Sequence, residues 1–100
     1  LLVAELEKIL KKVLRTGKVY LGSKRTLKAL KKGEVKIVIL ASNCPKEIKE
    51  KIEKFNVPIL TFKGTNMELG AVCGKPFSVT SLAVIDEGES EILNFVKKQD

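Results

Sequence analysis

Apolar residues recur at helical spacing from the start of this 100-residue chain. Leu2, Leu6, Ile9, Leu10, Val13 and Leu14 lie on one stripe, and Gly17 stands just past a last turn holding Lys11, Lys12 and Arg15. The spacing predicts a helix over Leu2 to Thr16. Val19 to Leu21 reads as a short strand. A second helix is expected from about Ser23 to Lys32, burying Leu27 and Leu30, with Gly33 to end it in left-handed backbone. Ile37-Val38-Ile39-Leu40-Ala41 shows no polar alternation, as a strand covered on both faces should.

The second half continues in the same rhythm. Pro45 suits the first position of a third helix, with Asn43 or Cys44 as its cap and Ile48, Ile52 and Phe55 on its inner face. Val57 to Phe62 is a strand whose proline sits near the start, where a missing N–H is tolerated. Thr65 and Glu68 form a capping-box pattern that opens a short helix to Cys73, closed by Gly74. Leu82 to Ile85 is a further buried strand. Asp86 to Glu89 supply acids at the start of a final helix that buries Ile92, Leu93 and Phe95 or Val96 and ends in Lys97 and Lys98. Short apolar strands alternating with helices need a sheet covered on both faces. The expected fold class is α/β: a three-layer α/β/α sandwich around a central mixed sheet of about four strands. With 44% apolar residues, no repeat and no linker, the chain is expected to form one domain over residues 1–100, with a core that needs no disulfide or metal.

Charge changes the picture more than length does. The formal net charge is +7, and it is unevenly spread: Leu1 to Lys36 hold eleven Lys/Arg against three Glu, whereas Val84 to Asp100 hold two Lys against five acids. One side of the molecule should attract phosphate and another repel it. Seventeen Lys and ten Glu beside four Asn and one Gln also resemble the bias of thermophilic chains. Cys44 and Cys73 lie far apart and outside any CxxC pair, so free, buried thiols are expected rather than a zinc or redox site. There is no apolar run long enough to span a bilayer, and the amphipathic, lysine-bearing first helix differs from a signal peptide, so the expected place of work is the cytoplasm with no membrane partner.

Catalytic chemistry finds little to work with. The chain has no histidine, which removes the usual neutral-pH base and every Ser-His or Cys-His nucleophile. Glu47, Glu50 and Glu53 alternate with Lys46, Lys49, Lys51 and Lys54 as helix-surface ion pairs do. Gly22 to Lys28 lacks the second glycine and longer loop of a phosphate-binding P-loop. The chain is read as a non-enzyme with no cofactor.

Binding chemistry is better supplied. In Leu21-Gly22-Ser23-Lys24-Arg25-Thr26-Leu27-Lys28, a glycine turn leaves a strand and opens a helix, where unpaired N–H groups and the positive end of the peptide dipole favour anions. Lys24, Lys28 and Lys31 follow at helical spacing, flanked by Arg25 and Lys32; taken alone, these cations also suit a solvated helix face. Phe77 follows a Gly-Lys-Pro turn before the last strand, where it either faces solvent, ready to stack on an unpaired base, or folds back onto the core. Asn43, at the end of the central strand, either reads a base edge or caps the next helix.

Four segments then point to a family. Gly22-Ser23-Lys24-Arg25-Thr26-Leu27-Lys28, Lys36-Ile37-Val38-Ile39-Leu40-Ala41-Ser42-Asn43, Gly64-Thr65-Asn66-Met67-Glu68-Leu69-Gly70 and Gly74-Lys75-Pro76-Phe77-Ser78-Val79 resemble, in order, the ribosomal large-subunit protein L-thirty-e family of archaea and eukaryotes. The resemblance implies the sandwich inferred above and a structural role in the large ribosomal subunit, binding a kink-turn, a sharply bent motif with sheared G·A pairs, in ribosomal RNA. It implies RNA contacts at Gly22, Ser23, Lys24, Asn43, Phe77 and Val79. Lys24 would reach a guanine edge or phosphates, Asn43 a base of the internal loop, and Phe77 with Val79 an extruded nucleotide; Thr26 and Lys28 join by their place on the same helix. Expected partners are ribosomal RNA and neighbouring ribosomal components, with the free protein a monomer. The alternative on the same fold is a protein-interaction or stress-response module that does not bind RNA.

Overall fold

Strand β2 (Ile37–Ala41) is buried along its whole length, and its side chains divide the molecule into two cores. Ile37, Ile39 and Ala41 join Leu6, Leu10 and Val13 of α1 (Leu2–Thr16) and Leu69 of α4 (Asn66–Val72). Val38 and Leu40 point the other way, to Leu30 of α2 (Ser23–Lys31) and Ile52 of α3 (Lys46–Glu53). Helices therefore cover both faces, and the architecture is the three-layer α/β/α sandwich expected. The remaining strands are β1 (Lys18–Leu21), β3 (Ile59–Phe62) and β4 (Ser81–Asp86). This computed structural model describes the backbone of residues 2–94 and the side chains of residues 5–94. Ile92 to Asn94 are helical, and the expected continuation through Phe95, Val96, Lys97 and Lys98 lies outside the described residues.

The sheet order is β1-β4-β2-β3, mixed as expected. β2 and β3 are parallel, whereas β4 runs antiparallel to both of its neighbours. It follows that β1, β2 and β3 all end at one edge of the sandwich, where β4 begins. Small residues set the spacing on the α2 side: Ser81 faces α2, hydrogen-bonding Ser23, and Ala83 alternates onto the same face, so the helix can lie close to β4. Leu82 and Val84 fill the opposite core with α1 and α4.

Several boundaries differ from the sequence reading for local reasons. β3 begins at Ile59 rather than Val57, because the Val57 N–H is turned to the Phe55 carbonyl and Pro58 has no N–H; the Pro58 carbonyl still accepts from Val38. The acids Asp86 to Glu89 do not open a helix. Asp86 closes β4 and its Oδ1 accepts the Gly88 N–H at 2.9 Å, making a turn in which Gly88 has φ 61°. Glu87 pairs with Lys36 at 2.6 Å, and the hydrogen bond from that ammonium holds its carboxyl below the ordinary value. Cys44 and Cys73 are free but only partly buried, and burial pushes the Cys73 thiol up to about 11. Neither offers a thiolate at neutral pH.

Candidate functional site

Because three strands end where the fourth begins, four loops meet at that edge: Gly22 after β1, Ser42-Asn43 after β2, Lys63 to Thr65 after β3, and Gly74 to Thr80 before β4. The ends of strands in open α/β sheets are where ligands generally bind. The loops are bonded to one another through the backbone. Gly22 N–H donates to Ser81 O at 2.8 Å, Ser42 N–H to Gly64 O at 2.8 Å and Val79 N–H to Asn66 O at 2.9 Å.

Gly22 has φ 99° and ψ 151°, a region open in practice only to glycine, and a Cβ there would meet nothing within 4 Å. The glycine is needed for its backbone angle, and it leaves open space in front of the first turn of α2. No side chain caps that turn, and no acid lies in it. Lys24 and Arg25 are exposed there, at the positive end of the helix dipole, where each cation costs a few tenths of a kcal/mol and a bound anion would offset that cost. Ser23 is engaged at 2.8 Å with the buried Ser81 hydroxyl, which anchors the turn and leaves Lys24 as the outward-facing group. Lys28 is exposed one turn further on.

Asn43 takes a role the sequence did not suggest. Pro45, with ψ 140°, occupies the cap position of α3 itself, and that helix has no side-chain cap. The Asn43 amide turns instead to the start of α4: its Oδ1 accepts the Asn66 N–H at 2.8 Å and its Nδ2 donates to Asn66 Oδ1 at 3.1 Å. The exchange satisfies an orphan N–H of α4 and locks two loops together. Thr65 and Glu68 complete the expected capping box on the same helix.

Phe77 is 54% exposed, and with Met67 at 64% it makes up the large apolar side chains open to solvent among the described residues. α4 carries the Phe77 loop: Lys75 N–H donates to Gly70 O, Val79 N–H to Asn66 O, and the Phe77 carbonyl sits where a Cβ on Gly70 would be. Sequence reasoning passed over Asn66, Met67 and Ser81. Nothing local marks the first two, but a serine next to a buried apolar strand is itself a sign of a specific partner.

Two expected contacts need correction. Thr26 is fully buried on the inner face of α2 with Ala29 and Leu30, and Val79 is 1% exposed within the core. Neither side chain is open to a ligand in this structure. The Thr26 Oγ1 also has no hydrogen-bond partner among the described residues. Thr26→Val is therefore expected to raise stability by about 1 kcal/mol, roughly 4 to 8 °C in Tm, by removing an unpaired hydroxyl. Thermal melts check this, and a fall in Tm would show that the hydroxyl is satisfied in solution.

The site so assembled combines open glycine backbone, an acid-free helix start with exposed cations, an ordered side-chain amide and an exposed ring. Residues 4–94 match the model of the Ribosomal protein L7Ae/L30e/S12e/Gadd45 family. The chain is 59% identical over 85 residues to the large ribosomal subunit protein eL30 of Archaeoglobus fulgidus, covering 85% of this chain and 99% of that one. It is 52% identical over 87 residues to eL30 of Methanosarcina mazei, covering 87% and 84% of the two chains. With eL30 of Methanocaldococcus jannaschii identity is 47% over 100 residues, covering 96% and 91%. On this match across nearly all of its length, the chain belongs to the Ribosomal protein L7Ae/L30e/S12e/Gadd45 family.

Proposed function

We propose that the protein is a non-catalytic component of the large ribosomal subunit, working in the cytoplasm, and that its four-loop end binds and stabilises a kink-turn in ribosomal RNA. The observation that carries this is the exposed Phe77 ring at the same end of the sheet as the acid-free, glycine-opened start of α2. Stacking surface and anion attraction are the two requirements for holding unpaired nucleotides. The protein acts by holding a shape. A kink-turn exchanges between extended and bent forms, and a protein with higher affinity for the bent form shifts that balance by the difference in binding energy. Gly22 lets the RNA approach the backbone, Lys24 meets a base edge or phosphate, and Asn43, ordered by Asn66, presents its amide to the internal loop.

A gel shift with a kink-turn duplex and a control lacking the sheared G·A pairs tests this, the intact motif binding more tightly. Lys24→Ala is expected to weaken binding by about 1 to 3 kcal/mol and to lose more on the intact motif than on the control. Equal affinity of the wild-type protein for the two RNAs would reject kink-turn recognition, and equal losses on mutation would reduce Lys24 to a general phosphate contact.

A further inference from the structure

Met67 is the only methionine of the chain, and its side chain takes no part in either core. It is 64% exposed on the second residue of α4. Leu69 and Gly70 carry the buried face of that helix, whereas Ala71, one turn after Met67, is exposed with it. Helix packing therefore gives no reason for a long apolar side chain here. The backbone beneath it, by contrast, is firmly held. Asn66, the residue before, exchanges both hydrogen bonds with the Asn43 amide, and its carbonyl accepts the N–H of Val79, two residues beyond Phe77. The capping box of Thr65 and Glu68 fixes the same turn. Met67 is thus mounted at the joint between the Asn43 loop and the Phe77 loop.

A thioether is flexible and polarisable, and it packs well against an aromatic face. It is also the group in this chain best placed for mild oxidation. Burial pushes the thiols of Cys44 and Cys73 up, so they offer peroxide little thiolate at neutral pH. The Met67 sulfur needs no ionisation and stands in the open. Its lone pair attacks one oxygen of hydrogen peroxide; the S–O bond forms as the O–O bond breaks, and the departing oxygen leaves as water. The sulfur is oxidised by two electrons and the peroxide reduced by two. The product is a polar, chiral sulfoxide, which loses more than the thioether when a partner strips its water.

We propose that Met67 covers an unpaired base of the bound RNA beside Asn43, and that its oxidation by peroxide is a modification that weakens RNA binding. The proposal rests on the kink-turn reading above and adds to it a contact and a chemical sensitivity. Free protein is open to the reagent, and protein already on its RNA is shielded, so oxidation acts on chains that have not yet been assembled.

The test follows sulfoxide formation at Met67 by mass spectrometry under mild hydrogen peroxide, in the free protein and with saturating kink-turn RNA or its G·A-disrupted control. The intact motif should slow the reaction several-fold and the control much less. Oxidised wild type should then bind the kink-turn roughly three- to tenfold more weakly, the loss expected for one sulfur–aromatic contact. Its thermal midpoint should not move, because the side chain is outside the cores. Met67→Gln, polar and of similar length, should bind as the oxidised protein does. Met67→Leu, compared with itself before and after peroxide, should show no change in affinity. The proposal is overturned if bound kink-turn RNA leaves the rate of sulfoxide formation unchanged, if oxidised and reduced wild type bind alike, or if Met67→Leu responds to peroxide as wild type does. If wild type does not distinguish the kink-turn from the G·A-disrupted duplex, the kink-turn reading fails and the Met67 contact falls with it; intact kink-turn binding with Met67 unprotected removes the Met67 contact alone.

Discussion

Phe77→Ala is expected to cost about 1 to 3 kcal/mol of affinity for a kink-turn RNA while moving the melting temperature hardly at all. The separation follows from where the ring stands. A fully buried phenylalanine typically costs about 3 to 5 kcal/mol of stability on truncation, through lost transfer energy and an unfilled cavity. Phe77 is 54% exposed and lies outside both core clusters, so little of that cost applies. What the ring supplies is a flat apolar surface beside cations. Phe77→Tyr should retain most of the affinity, since it keeps the stacking face. A large drop in Tm with RNA affinity intact would show that the ring packs inward in solution, and recognition would then rest on Gly22, Lys24 and Asn43.

Gly70→Ala should damage binding more broadly, although alanine favours a helix by about 1 kcal/mol over glycine. The new Cβ falls on the Phe77 carbonyl, so the loop before β4 must move off α4, straining the Lys75 to Gly70 and Val79 to Asn66 hydrogen bonds. Overpacking of this kind generally costs about 1 to 3 kcal/mol of stability. RNA affinity should fall as well, because the displaced segment carries Phe77. Ala71→Gly provides the contrast: at the adjacent, exposed position it lowers helix propensity by a similar amount without touching the loop, so stability drops and RNA affinity stays. Comparable RNA binding by Gly70→Ala and wild type would show that the loop's position does not depend on this contact.

The alternation of helices and strands was legible because periodicity is written locally. β2 illustrates this, with five apolar residues in succession and both faces covered. Thr26 was legible too, had the same rule been applied to it: three and four residues before Ala29 and Leu30, it shares their buried face, while Lys24, Lys28 and Lys31 point away. Val79 comes from the family resemblance alone; its N–H is drawn to Asn66 as the chain enters β4, and its side chain turns into the core, a placement no local pattern announces. Asn43 could not have been placed from sequence. Its partner lies 23 residues on, and only the parallel pairing of β2 with β3 brings the two loops together. Local patterns report elements; the orientation of a side-chain amide depends on which strand ends lie side by side.

The strand order has a consequence for how the protein is made. β1 has a single sheet neighbour, β4, which also separates it from β2. Since β4 is the last of the four strands to be synthesised, β1 must wait, unpaired, until it emerges, and the β1–β4 ladder closes a loop of some sixty residues. Until then Gly22 has no Ser81 carbonyl to hold it and Ser23 no hydroxyl partner. A nascent chain stalled before Ser81 should therefore carry most of its positive charge yet lack a formed recognition end, so that affinity for bent RNA arrives late and in one step, with the closing of the sheet.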